Sequence, residues 1–94
     1  MLSWIFQKRE RTSDRVGQVL MYTRAGCHLC EQAWALLQDA QKRHCFHLQS
    51  VDVDSDPDLV AAHGDCVPVV VIDGKVRFRG RVNPVLLRRL FAAS

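Results

Sequence analysis

Apolar positions along the chain fall into a regular order from Val16 onward. The run Val19-Leu20-Met21-Tyr22 is short, apolar and closed by Arg24-Ala25-Gly26, as expected of a buried strand followed by a turn. From Cys30 the spacing changes. Cys30, Ala33, Trp34, Leu37 and Ala40 recur at three- and four-residue steps, which predicts a helix to about Arg43. Phe46, Leu48 and Val51 begin a second strand, closed by the acidic turn Asp52-Val53-Asp54-Ser55-Asp56-Pro57. Pro57 suits the first turn of a helix capped by Ser55 or Asp56; this short helix carries Leu59, Val60, Ala61 and Ala62 and stops near Gly64. The β-branched run Val67-Pro68-Val69-Val70-Val71-Ile72 reaches Asp73-Gly74, a strong hairpin signal. Lys75-Val76-Arg77-Phe78-Arg79 then alternates, as a half-exposed strand does. That alternation puts Lys75, Arg77, Arg79 and Arg81 on one face and Val76, Phe78 and Val82 on the other. Asn83-Pro84 opens a last helix whose apolar side is Val85, Leu86, Leu87, Leu90 and Phe91.

The predicted order is therefore β-α-β-α-β-β-α, an α/β domain with a four-stranded mixed sheet and helices on both faces. Strands 1 and 2 pair in parallel through a right-handed crossover, and the hairpin adds strands 3 and 4 antiparallel to each other. Residues 1–15 do not follow this pattern. Trp4, Ile5 and Phe6 lead into an almost wholly polar stretch, read as an N-terminal extension ahead of a domain over 16–94. Ninety-four residues leave room for a single core. The net charge of +3 is too mild to mark a nucleic-acid binder. No apolar run approaches the roughly 18 residues of a membrane helix. The start of the chain also has its apolar patch before its charges, the reverse of a signal peptide. These features predict a cytoplasmic protein with neither nucleic acid nor membrane as partner.

In a reducing compartment, cysteines serve catalysis or metal binding more often than structure. Of the four here, Cys27 and Cys30 form C-x-x-C, while Cys45 and Cys66 stand alone. The pair falls where strand 1 ends and the first helix begins. Unpaired N–H groups and the positive end of the dipole at a helix N-terminus favour thiolate over thiol. Two sulfurs three residues apart can also meet across one turn. Cys27, the more exposed, is expected to attack, and Cys30, one turn in, to resolve. His28 and Arg24 add positive charge beside Cys27. His44, His47 and His63 read as helix-end or surface residues, and Trp34 as core.

Tyr22-Thr23-Arg24-Ala25-Gly26-Cys27-His28-Leu29-Cys30-Glu31 resembles the active-site opening of the glutaredoxins, within the thioredoxin-fold superfamily. The likeness is closest to small bacterial glutaredoxin-like proteins and covers about residues 18–92. It implies a thioredoxin-like fold and thiol–disulfide oxidoreductase activity in cell redox homeostasis. It also implies a glutathione-binding role for the basic residue three positions before the first cysteine, Arg24. The family's Thr-Val-Pro motif has its match in Cys66-Val67-Pro68, which implies a cis Val67–Pro68 bond beside the disulfide. Val67, Pro68 and Gly80 complete the substrate- or glutathione-binding set by the same resemblance, and His28 joins it on its position beside the Cys27 thiolate. The chain departs from the family in carrying His28 and Leu29 where Pro and Tyr are usual. Arg79-Gly80-Arg81-Val82-Asn83 keeps one glycine of the Gly-Gly pair and has Asn83 where an acid would hold the ligand's ammonium, removing a charge-assisted contact.

The expected partner is a disulfide-containing protein or a glutathione mixed disulfide. No metal or organic cofactor is required, and glutathione is a candidate reductant. Alternatives stand beside this reading: recharge by a flavin-dependent thioredoxin reductase, or a non-catalytic module holding a metal or iron–sulfur cluster. A zinc set would draw on Cys27, Cys30, Cys45 and His47, or His44. Cys66 is either a third thiol near the site or a small buried residue in place of Thr. Strand 3 begins beside the end of strand 1, whereas Cys45 lies at the opposite end of the sheet. The basic residues of strand 4 are read as edge protection, compatible with docking of an acidic partner.

Overall fold

The computed structural model describes residues 17–92; the expected extension over 1–15 lies outside the described residues. The order is β1 (Gln18–Thr23), α1 (His28–Arg43), β2 (His47–Asp52), a 3-10 turn (Val53–Ser55), α2 (Pro57–His63), β3 (Val69–Ile72), β4 (Lys75–Arg79) and α3 (Pro84–Ala92). The four strands form one sheet in the order β2-β1-β3-β4. β1 pairs in parallel with β2 and antiparallel with β3, and β3 pairs antiparallel with β4. This is the mixed sheet the sequence predicts.

Helices lie on both faces of the sheet. Val19 and Met21 of β1, Val70 and Ile72 of β3 and Phe78 of β4 share one face. They join Cys30, Ala33, Leu37 and Ala40 of α1 and Leu87 and Phe91 of α3 in one buried cluster. Phe91 stacks on Phe46 at 4.9 Å and on His44 at 5.1 Å, pinning α3 to the far end of α1. On the other face Val69 is fully buried, and the Tyr22 ring stacks on His63 of α2 at 4.5 Å. His63 stands at a helix end, as expected, and there it also packs α2 against the sheet.

Three local expectations are corrected. β3 begins at Val69, not Val67. The alternation of β4 is broken, because Val71 pairs with Val76 while Val70 pairs with Phe78. Arg77 is the extra residue of a bulge, so Val76 and Phe78 face opposite sides of the sheet. Val76 is accordingly 41% exposed, and the basic residues of β4 line an edge rather than one face. In α3, Leu87 and Phe91 are buried four residues apart, whereas Val85 and Leu86 are exposed. At about 100° per residue, Leu86 and Val85 rotate off the face that Leu87 sets.

The hairpin closes as predicted. Asp73 and Gly74 have φ of 49° and 86°, the pair of positive values a two-residue I′ turn demands. Asp73 does a second job. Its Oδ1 accepts the backbone N–H groups of Gly17 (3.0 Å) and Gln18 (2.9 Å), fixing the entry of the chain into β1.

Candidate active site

β1 is the strand between β2 and β3, and its C-terminal end delivers the chain through residues 24–26 to the first turn of α1. Cys27 is the N-cap of α1. Its Sγ accepts the N–H of Cys30 at 3.0 Å, and its carbonyl accepts the N–H of Glu31 at 3.1 Å. A sulfur thus takes the place usually held by a Ser or Asp oxygen at a helix start. Cys27 and Cys30 form a disulfide, with Cα atoms 5.2 Å apart. The two sulfurs differ in access: Cys30 is 3% exposed within the core, while Cys27 is half-buried and opens to solvent. A pocket of about 350 Å³ opens over the pair, walled by Thr23, Arg24, Glu31 and Trp34.

Arg24 stands in that wall, but three of its five N–H donors are committed elsewhere. Nε and Nη2 hold the two carboxylate oxygens of Asp54 at 3.0 and 2.9 Å, and Nη1 donates to the Gly64 carbonyl at 3.0 Å. The guanidinium therefore ties the loop after β1 to the 3-10 turn and to the end of α2. The hydrogen bond from Arg24, reinforced by its charge, holds the Asp54 carboxyl below the usual carboxylate range, and Asp54 in turn raises Arg24. His28 projects into solvent, 91% exposed, with Nδ1 3.9 Å from Glu31 Oε1.

The Val67–Pro68 bond is cis. Pro68, expected in the substrate- or glutathione-binding set, faces inward. Its side chain is fully buried, and its carbonyl accepts the Gly80 N–H at 2.9 Å. Gly80 makes that contact at φ 81°, a conformation costly for any residue with a Cβ. Val67 packs against the same buried cluster as Cys27. Its own backbone groups make no hydrogen bond among the described residues.

Cys66 is half-buried, its Sγ 3.5 Å from the His63 carbonyl and 3.9 Å from Arg79 Nη1. It does not line the pocket over the disulfide. Cys45 is exposed just before β2. Because β2 runs parallel to β1, Cys45 and His47 lie at the opposite end of the sheet from Cys27. Among the described residues no three His, Cys, Asp or Glu side chains gather to hold a metal ion.

Two residues of the site escaped the sequence reading. Trp34 reads as core but is half-exposed and walls the pocket; its i+4 spacing from Cys30 was the available signal. Asp54 reads only as part of an acidic turn. No spacing rule links it to Arg24, 30 residues away.

The model of the glutaredoxin-like domain (DUF836) matches residues 18–92. The chain belongs to this glutaredoxin-like family. An uncharacterized protein of Mycobacterium tuberculosis is 34% identical over 82 residues, covering 82% of this chain and 84% of the relative. Among solved structures, protein XcR50 of X. campestris superposes with a TM-score of 0.64 at 35% identity, covering 81% of this chain and 97% of that one. Protein Ne2328 of Nitrosomonas europaea gives a TM-score of 0.69 at 26% identity, covering 82% and 93%. Thioredoxin O2 of Arabidopsis thaliana, solved in its oxidized state, shares the fold at 20% identity and a TM-score of 0.59, covering 86% of this chain and 79% of that one. A thioredoxin-like fold, a glutaredoxin-like domain and a Cys27–Cys30 disulfide together support a redox-type function for this glutaredoxin-like protein. No helix among its described residues is long and apolar enough to cross a membrane.

Proposed function

We propose that the protein is a dithiol–disulfide oxidoreductase of the cytoplasm that reduces or exchanges disulfides through Cys27 and Cys30. The observation that carries this reading is the asymmetry of the pair. One sulfur caps a helix and is open to solvent; the other is 3% exposed, one turn behind it.

In the reduced protein, the N–H of Cys30 and the positive end of α1 stabilise negative charge on Cys27 Sγ. That thiolate attacks one sulfur of a substrate disulfide. A Cys27–substrate disulfide forms, and the first substrate sulfur leaves as a thiolate that takes a proton. Cys30 then loses its proton and attacks Cys27 Sγ, releasing the second substrate sulfur and closing the Cys27–Cys30 disulfide. Two electrons pass from the dithiol to the substrate. The unpaired backbone groups of Val67 are suited to an extended substrate strand, with Gly80 holding the Pro68 carbonyl out of reach. The scheme requires no metal or organic cofactor.

Glutathione returns the two electrons in the simplest form of the cycle. A second reading, recharge by a flavin-dependent thioredoxin reductase, is favoured by the commitments of Arg24 and Asn83. Arg24 directs three of its five N–H donors to Asp54 and Gly64, and Asn83 Oδ1 caps α3 by accepting the N–H groups of Val85 (2.8 Å) and Leu86 (3.2 Å). Both groups are thus partly engaged within the chain, which leaves them less to offer glutathione.

Titration in glutathione redox buffers, with thiols trapped and Cys27–Cys30 read by mass, tests both. A reversible disulfide with a potential of about −180 to −270 mV supports dithiol chemistry. Cys30→Ser then accumulates a mixed disulfide on Cys27, and Cys27→Ser abolishes turnover. Glutathione adducts on Cys27 favour glutathione as reductant, and their absence favours the reductase. A pair that forms no disulfide at any poise removes the proposal.

A further inference from the structure

Charge is segregated along this chain. Residues 52–73 contain six aspartates and neither Lys nor Arg, whereas residues 74–94 contain six Lys and Arg and no acid. Four of those six cations, Lys75, Arg77, Arg79 and Arg81, fall within seven residues, and all four are exposed. β4 is an outer strand of the sheet. Among the described residues, the ion pairs join Arg24 to Asp54, Arg43 to Asp39 and His28 to Glu31. None of them reaches β4. Charged side chains protect a sheet edge, but four unneutralised like charges also repel one another and work against the compact state. An anionic partner removes that repulsion.

The basic edge is aimed at the disulfide. β4 runs parallel to β1, since both are antiparallel to β3. Lys75 lies in one row with Ile72 and Val19, at the far end, and Arg79 in one row with Val69 and Tyr22, at the end where β1 leads to Cys27. Arg79 reaches Cys66 Sγ, next to Val67. Arg81 walls a groove of about 590 Å³ whose opposite side includes Leu29, one of the two residues between the cysteines. Cationic side chains thus continue from the outer edge into a groove bordering the C-x-x-C turn.

We propose that Lys75, Arg77, Arg79 and Arg81 form a docking edge for an acidic, extended polypeptide segment flanking the reacting disulfide of a partner protein. The proposal rests on Cys27 and Cys30 being the reacting pair. Length favours a polypeptide over glutathione. Six residue steps from Lys75 to Arg81 span about 20 Å at extended spacing, whereas a tripeptide reaches at most about 11 Å. Only a longer ligand engages Lys75 while its disulfide lies over Cys27.

Binding is measured without chemistry, by fluorescence anisotropy on the full-length oxidised protein. The probes are a labelled cysteine-free decapeptide rich in Asp and Glu, a Ser/Asn counterpart, and an oligodeoxynucleotide of equal net charge. The acidic peptide is expected to bind more tightly than the neutral one, with an affinity that falls as salt rises. The triple variant Arg77→Ser, Arg79→Ser, Arg81→Ser weakens it about tenfold. Arg88→Gln with Arg89→Gln, which removes cations from α3, leaves it within about twofold. Equal binding of acidic and neutral peptides overturns the proposal on the wild-type protein alone. So does an equal loss in the α3 variant, which would assign the effect to net charge, or tighter binding of the oligonucleotide. A Cys27–Cys30 pair that fails the redox titration while peptide binding persists defeats the catalytic reading and leaves the docking edge standing.

Discussion

At the residue scale, the site is built on side chains diverted from common roles. Cys27 caps a helix with sulfur, and Arg24 braces two loops as well as walling the pocket. The brace has a pH signature. Asp54 is depressed in the folded state by the hydrogen bond from Arg24, so its contribution is present above the unfolded carboxylate value and is lost as pH falls through the depressed folded one. Asp54→Asn is therefore expected to be less stable than wild type at neutral pH, with the difference closing in strong acid. Urea midpoints at several pH values check this, and a constant gap would show that the bond matters for shape rather than charge. The two cysteines were legible in the sequence because C-x-x-C at a strand–helix junction is a local pattern. The bond between Arg24 and Asp54 was not, since it joins two loops that only the folded sheet brings together. Pro68 illustrates the same limit: its cis bond followed from family resemblance, but the capture of its carbonyl by Gly80 depends on where β4 ends.

At the element scale, the order of strands and helices was readable because each has a strong period or a punctuating residue. α1 shows its apolar stripe and β3 its β-branched run, and Asp73-Gly74 marks the hairpin between β3 and β4. The bulge at Arg77 was invisible. Lys75-Val76-Arg77-Phe78-Arg79 alternates without a flaw, and only its pairing with β3 shows that one residue is extra. The last helix misled for a related reason: five apolar residues, Val85, Leu86, Leu87, Leu90 and Phe91, are spread along it, yet the nine-residue α3 buries mainly Leu87 and Phe91. These placements predict a ranking of stabilities. Leu37→Ala empties a fully buried position in α1 and is expected to cost about 2–5 kcal/mol. Gly80→Ala meets no atom within 4 Å, so it pays only for φ 81°, about 1–2 kcal/mol. Denaturant unfolding of the oxidised variants tests the order; a larger loss at Gly80 would mean that its bond to Pro68 organises more than one turn.

At the scale of the whole molecule, the two ends of the sheet differ. The disulfide, Val67 and Arg79 occupy the end where β1 finishes, while the Asp73 turn and Gly17 occupy the end where it starts. Six residues of β1 separate the two, about 20 Å. Asp73, by gripping Gly17 and Gln18, joins the hairpin turn to the start of β1, and that end faces away from the disulfide. A protein attached to an electrode or bead through a side chain at position 75, in one row with Ile72 and Val19, should therefore present Cys27 to the solution. Immobilised protein is expected to reduce a small soluble disulfide at the rate of the free protein, read by colorimetric thiol release; a large loss would mean that the anchored end screens the site. The hairpin between β3 and β4 thus offers a usable anchoring point for a surface-bound redox sensor.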